Sequence, residues 1–179
     1  MPLTHAGTCG ACRKRSPAFD KVRARFHYRF PLDRLVQRFK YAGDLALGHW
    51  LAEQLTEHVS EFERPELLIA PPSTTSRLRE RGFNPALEIA KVVARRLEIP
   101  CALEGLIRTR DTTPQPGLGR DARARNLEGA MHCALPLGGM NVALVDDVMT
   151  TGATANAAAR VLKKAGAASV SVWVAARTP

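Results

Sequence analysis

Residues 141 to 166 run from an apolar stretch, Asn-Val-Ala-Leu-Val, through Asp-Asp-Val-Met-Thr-Thr-Gly-Ala-Thr into a small-residue segment that closes at Gly166. Val142 to Val145 is an uninterrupted apolar run, and Asn141 to Val145 reads as a buried strand. Ala153 to Ala165 has the spacing of a helix stopped by a C-terminal glycine. A strand, a tight loop and a helix in that order restrict the chain to folds in which parallel strands are covered by helices.

The rest of the sequence supplies similar units. Leu32, Leu35, Val36 and Phe39 recur at three-and-four spacing and predict a short amphipathic helix that breaks at Gly43. Asp44 is placed to cap a second helix, with Leu47, Leu51 and Leu55 on one face and Trp50 beside them. Leu67 to Ala70 is a short apolar run ending at Pro71-Pro72, a buried strand with a loop at its carboxyl end. After a basic connection, Asn84-Pro85 supplies a cap and a first-turn proline, and Ala86, Ala90, Val93 and Leu97 mark a buried helix face. Leu103 to Ile107, Leu127 to Ala134 and Val170 to Val174 are further candidate strands. The fold class expected is α/β, a parallel Rossmann-like sheet. Residues 1–30 read as a basic, turn-rich leader and 31–179 as the α/β domain. Residues 109 to 126 are long, basic and rich in Gly and Pro, the character of a lid or of a disordered segment.

Charge narrows the partners. There are 26 Lys and Arg against 17 Asp and Glu, a net charge of +9, which suits phosphate, whether on a small molecule or along a nucleic acid. The N-terminal sequence has no apolar stretch of signal-peptide length, and no run of about 18 apolar residues occurs anywhere. A cytoplasmic protein without a membrane span is expected, with its four cysteines reduced.

A loop joining a buried parallel strand to a helix gathers backbone N–H groups and the positive helix end around one point. Thr150, Thr151 and Thr154 add hydroxyls, and Gly152 and Ala153 let the backbone approach a ligand closely. The common phosphate loops, G-x-x-x-x-G-K-[ST] and G-x-G-x-x-G, are both absent. An anion here would meet Asp146 and Asp147, which would repel it by several kcal/mol at intermediate dielectric. The conflict disappears if the acids accept hydrogen bonds from ligand hydroxyls, or if a divalent cation intervenes. Both solutions describe a sugar phosphate. The blander alternative is that the acids cap the helix and the threonines solvate a turn.

The string VALVDDVMTTGAT resembles the 5-phosphoribosyl-1-pyrophosphate (PRPP) motif of type I phosphoribosyltransferases. The stretches CGAC, RFKYAGD, APPS with RERGFNPALEIA, and LVDDVMTTGATANAAARVLKKAG, with Gln115, Leu118, Arg123 and Asn126 between them, are similar to the ComF/GntX-type family associated with DNA uptake in natural competence. The resemblance implies a type I phosphoribosyltransferase fold with a flexible hood, PRPP as ligand and Mg²⁺ as its companion. It implies that Thr150, Thr151, Gly152, Ala153 and Thr154 hold the 5-phosphate, while Asp146 and Asp147 take the 2- and 3-hydroxyls of the ribose. Pro71, Pro72 and Ser73 fall at the family's pyrophosphate loop, with Arg77, Arg79 and Arg81 just beyond, and Arg81 within the matching RGFN. The solvated basic turn is the other reading of those arginines. Gln115 and Arg123 are the hood candidates. The acceptor is left open, as is a general base, and the implied partners are single-stranded DNA or a competence helicase, with a homodimer possible.

Cys9 and Cys12 form one C-x-x-C pair, half of a structural zinc site. The family opens with two such pairs and here the first is missing, so zinc, a redox pair and the remnant of a shortened ribbon all stay open. His5 is a candidate third donor and His27 a remote fourth. Cys101 and Cys133 stand alone in apolar surroundings, as small core residues do.

Overall fold

The computed structural model describes residues 16–110 and 129–178. Five parallel strands form one sheet: β1 (Lys21–His27), β2 (Leu67–Ile69), β3 (Cys101–Ala102), β6 (Asn141–Met149) and β7 (Ser169–Arg177), in the order β1-β7-β6-β2-β3. Two short strands, β4 (Leu106–Arg108) and β5 (Met131–Cys133), pair antiparallel in a separate ribbon. The helices are α1 (Leu32–Ala42), α2 (Leu45–Val59), α3 (Thr75–Arg81), α4 (Pro85–Leu97) and α5 (Ala153–Lys164).

The apolar residues divide between the two sheet faces. On one face Val36 and Phe39 of α1, Leu51 and Leu55 of α2, and Ile89 and Val93 of α4 pack against Leu68, Val145 and Trp173. On the other, Ala158, Ala159 and Leu162 of α5, together with Leu106, Met131 and Cys133 of the ribbon, cover Val142, Leu144 and Val172. Each fully buried aliphatic or aromatic side chain of this kind contributes roughly 1.5–3 kcal/mol relative to exposure. Among the described residues no helix is long and apolar enough to cross a membrane.

Several local expectations hold. Gly43 ends α1 in the left-handed conformation, φ 66°. The Asp44 carboxylate accepts from Leu47 N at 3.3 Å, and Asn84 Oδ1 accepts from Ala86 N at 3.2 Å. Cys133 is buried and Cys101 half-buried, and both are free thiols.

Four readings need correction. Lys21–His27 lies inside the segment read as a leader, yet it is the edge strand β1, in parallel register with β7 from Lys21↔Ser171 to His27↔Arg177. The basic connection after Ser73 contains a helix, α3, capped by Thr74, whose hydroxyl accepts from Arg77 N at 3.3 Å. The strand sought at Leu103 to Ile107 resolves into β3, a turn and β4. Finally, β6 continues four residues past Val145 to Met149, so Asp146 and Asp147 belong to the strand and not to the loop.

Candidate functional site at the carboxyl ends of β2 and β6

β2 and β6 are neighbours, with Ile69 opposite Leu144. From β2 the chain passes to α4 and outward to β3; from β6 it passes to α5, on the other face, and outward to β7. Adjacent strands whose connections leave in opposite directions open a crevice at their carboxyl ends, where ligands of open α/β sheets bind. Pro71-Pro72-Ser73 forms one lip and residues 150–154 the other. The two loops that the sequence nominated for phosphate and pyrophosphate therefore follow adjacent strands.

The 150–154 lip is built as its residues dictate. Gly152 takes φ 74°, buries its backbone and serves as N-cap of α5 with no side-chain cap bond. The first amides of a helix have no intrahelical partner, and here Ala153 N donates to Thr151 Oγ1 at 3.4 Å. Thr150 is exposed, its carbonyl accepting from the Thr178 hydroxyl at 3.2 Å, and Thr154 is half-buried. The acids do not cap α5. Asp146 Oδ1 accepts from Asp147 N at 2.8 Å and Asp147 Oδ1 from Val148 N at 2.6 Å, each bond local to the strand end. The capping alternative for the acid pair is thereby removed.

Asp147 is only 6% exposed and pairs with Lys40 of α1, Nζ to Oδ2 being 3.0 Å. Burial of its carboxyl raises Asp146 from the ordinary aspartate value to about 8, the Asp147 charge adds to the rise, and Lys40 opposes it. Lys40 is the site residue that sequence reasoning missed. Its signal was present: it extends the column of Leu32 and Val36 by one more turn, a position where the buried face of α1 calls for an apolar side chain.

The 71–73 lip is tied down from behind. Asn84 Nδ2 donates to the Pro71 carbonyl at 3.0 Å, so one side chain both caps α4 and fixes the loop. Arg81 lies over Tyr41, its carbon 4.6 Å from the ring centre and Nη2 3.0 Å from the hydroxyl, while its Nε is buried without a hydrogen-bond partner among the described residues. Arg77 and Arg79 are exposed along α3.

The hood candidates Gln115 and Arg123 lie outside the described residues, as do Cys9, Cys12 and His5. The base of that loop is described: Thr109 N donates to Ala130 O at 3.1 Å and Thr109 Oγ1 to Gly129 O at 2.9 Å, closing its ends above β4 and β5. His27 sits on β1 and, among the described residues, no three His, Cys, Asp or Glu converge as a metal site. For Mg²⁺ the donor chemistry fits an ion carried by a ligand. Asp147 is already neutralised by Lys40, Asp146 has no ion pair among the described residues, and Mg²⁺ commonly uses one carboxylate alongside substrate phosphates and water.

A parallel sheet with this lip, acid pair and facing loop is the architecture of a phosphoribosyltransferase domain, and residues 84–179 match the phosphoribosyl transferase domain family. Competence protein F of Haemophilus influenzae is 35% identical over 182 residues, 97% of this chain and 80% of its own. The DNA utilization protein YhgH of Escherichia coli is 32% identical over 185 residues, 99% of this chain and 82% of its own. Among solved structures, the allosteric regulatory enzyme of purine biosynthesis aligns with 72% of this chain and 25% of its own at 20% identity and a TM-score of 0.49. The chain belongs to the ComF-type family of phosphoribosyltransferase-fold proteins.

Proposed function

We propose that this protein binds PRPP with Mg²⁺ and is a phosphoribosyltransferase acting in the handling of DNA taken up by the cell. The observation that carries the reading is the juxtaposition, on one lip of the switch-point crevice, of the α5 start at Gly152, which has no side-chain cap, with the Asp146–Asp147 strand end. The amides and hydroxyls of 150–154 take the 5-phosphate. Asp146 and Asp147 hydrogen-bond the ribose 2- and 3-hydroxyls, which offer them donors where a bare anion would offer only repulsion. Pro71, Pro72 and Ser73 face the pyrophosphate, and Arg81, with its spare buried Nε, and Arg77 neutralise it. Mg²⁺, bound with PRPP, supplies further charge neutralisation of the pyrophosphate.

The reaction is displacement of pyrophosphate from C1 by a nitrogen nucleophile. The C1–O bond breaks through an oxocarbenium-like state, so the protein contributes positioning and stabilisation of the leaving group. Gln115 and Arg123, which lie outside the described residues, are the residues the family resemblance nominates for shielding C1 from water. The test is calorimetric titration with PRPP, with and without Mg²⁺, on the native chain and on Asp146→Asn/Asp147→Ala. Micromolar binding that the double substitution abolishes supports the site, and unchanged affinity refutes it. A pyrophosphate-release screen across nucleobases then finds the acceptor.

The names of the relatives and the net charge of +9 favour a second reading, in which the same pocket senses PRPP while the protein contacts single-stranded DNA. It requires DNA binding that weakens steeply with salt. Binding that is flat between 50 and 200 mM salt, on the order of the range over which phosphate contacts are lost, eliminates it.

A further inference from the structure

We propose that Lys40 is a positioning residue for the sugar site: it fixes the orientation of the Asp147 carboxylate, and so gives the site its preference for an intact ribose diol. The proposal rests on the sugar-phosphate reading above. Lys40 stands one helical turn beyond Val36 on the buried column of α1, with its side chain 19% exposed and its stem covered by protein. Its ammonium is 3.0 Å from Asp147 Oδ2, and Asp147 spends its other oxygen on Val148 N at 2.6 Å. That carboxylate is consequently fixed from two sides, by a helix from one face of the sheet and by its own strand.

Asp147 can present its remaining lone pairs to a diol only in the orientation that these two bonds fix. Among the described residues Lys40 supplies the one bond that comes from outside the strand, and without it the carboxylate is held only by its local bond to Val148 N. The lysine leaves the crevice polar but does not sit on the phosphate lip, where α5 and the threonines already attract the anion. Lys40 thus separates two tasks: the loop recognises phosphate, and the lysine-supported acids recognise hydroxyls.

The test compares ribose 5-phosphate with 2-deoxyribose 5-phosphate by calorimetry on the full chain. The native protein should prefer the ribose ligand by roughly tenfold, the equivalent of one good hydrogen bond to a charged group. Lys40→Met should abolish most of that preference by weakening the ribose ligand and leaving the deoxy ligand nearly unchanged. Lys40→Arg should restore it, and Lys40→Met/Asp147→Asn should be no worse than Asp147→Asn alone, because both act through one carboxylate. If Lys40→Met does not fold, Lys40→Gln, which keeps the stem and a donor but loses the charge, is judged by the same criterion. Equal weakening of both ligands, or a preference left intact or increased, overturns the role of Lys40 while the sugar site stands. Failure of the native protein to bind either ligand or PRPP overturns the sugar-phosphate reading, and this inference with it.

Discussion

Asn84 holds two elements at once: its Oδ1 accepts from Ala86 N at the start of α4, and its Nδ2 donates to the Pro71 carbonyl at 3.0 Å on the pyrophosphate lip. The two bonds come from opposite ends of one amide and can be removed separately. Asn84→Asp keeps an excellent N-cap but replaces the donor with an acceptor facing a carbonyl. The expected result is a melting temperature within a few degrees of native together with clearly weakened PRPP binding. Asn84→Ala loses both bonds and should in addition lose about 1 kcal/mol of stability. Thermal unfolding and calorimetry on the two variants check the split, and equal PRPP affinity in native protein and Asn84→Asp would detach the loop from the site.

Gly48 faces the ring of Phe39 so closely that a Cβ there would lie 2.3 Å from Phe39 Cε2 and 2.8 Å from Cδ2. Phe39 cannot yield cheaply, since it is fully buried and packs against Phe83 with ring centres 5.4 Å apart. Replacing Gly by Ala inside a helix ordinarily gains up to about 1 kcal/mol. Overpacking of a close helix contact costs about 1–3 kcal/mol and should win here. Gly48→Ala is expected to lower stability in urea, with the slope unchanged. Because Phe39 adjoins Lys40, the same substitution should weaken PRPP binding at a distance from the crevice.

Gly152→Ala addresses the phosphate lip itself. The residue has φ +74°, and a Cβ would come 2.7 Å from Met149 Cε. The methionine end is flexible and can move, so the main penalty is the left-handed backbone, roughly 1–2 kcal/mol. The protein should fold, and the penalty can be relieved by rotating the very peptides whose N–H groups face the phosphate. Affinity for PRPP should therefore drop on the order of tenfold or more, a larger loss than unfolding measurements show. Native-like affinity would mean that the backbone of 150–154 does not bind the anion.

What the sequence disclosed follows from which signals are local. The unit from Asn141 to Gly166 and the caps Gly43, Asp44 and Asn84 depend on a few adjacent residues, and all were readable. β1 was not, because Lys21, Arg23 and Arg25 alternate with Val22, Ala24 and Phe26 as a charged edge strand does, and charge on an edge protects it from pairing with other chains. Arg23 lies 3.8 Å over the Phe62 ring and Arg25 reaches Gln54 at 3.3 Å, contacts that exist only once α2 has folded across the strand. α3 buries none of its residues, so it carries no apolar period to detect. Two acids argued against a strand at 146 and 147, since acids are depleted there. They are tolerated because Lys40, more than a hundred residues away in the chain, compensates Asp147. Only the fold could reveal that partner.

The acid pair also makes stability depend on pH in a defined direction. Burial and the Asp147 charge raise the Asp146 carboxyl from 3.8 to about 8 in the folded protein. Between those values the native state holds a proton that the unfolded chain has released. The stabilisation from that proton is fully present below the unfolded value and is lost as pH rises through about 8. The contribution of one group has a slope of at most about 1.4 kcal/mol per pH unit. Other carboxyls, such as Asp20, whose pKa is lowered, shift the total in the opposite sense. The informative quantity is therefore the difference between native protein and Asp146→Asn in urea unfolding from pH 5 to 9. Asp146→Asn should gain on the native protein steadily as the pH rises. A difference that does not change with pH would show that Asp146 is ionised throughout, and the PRPP diol would then meet two charged acids from the outset.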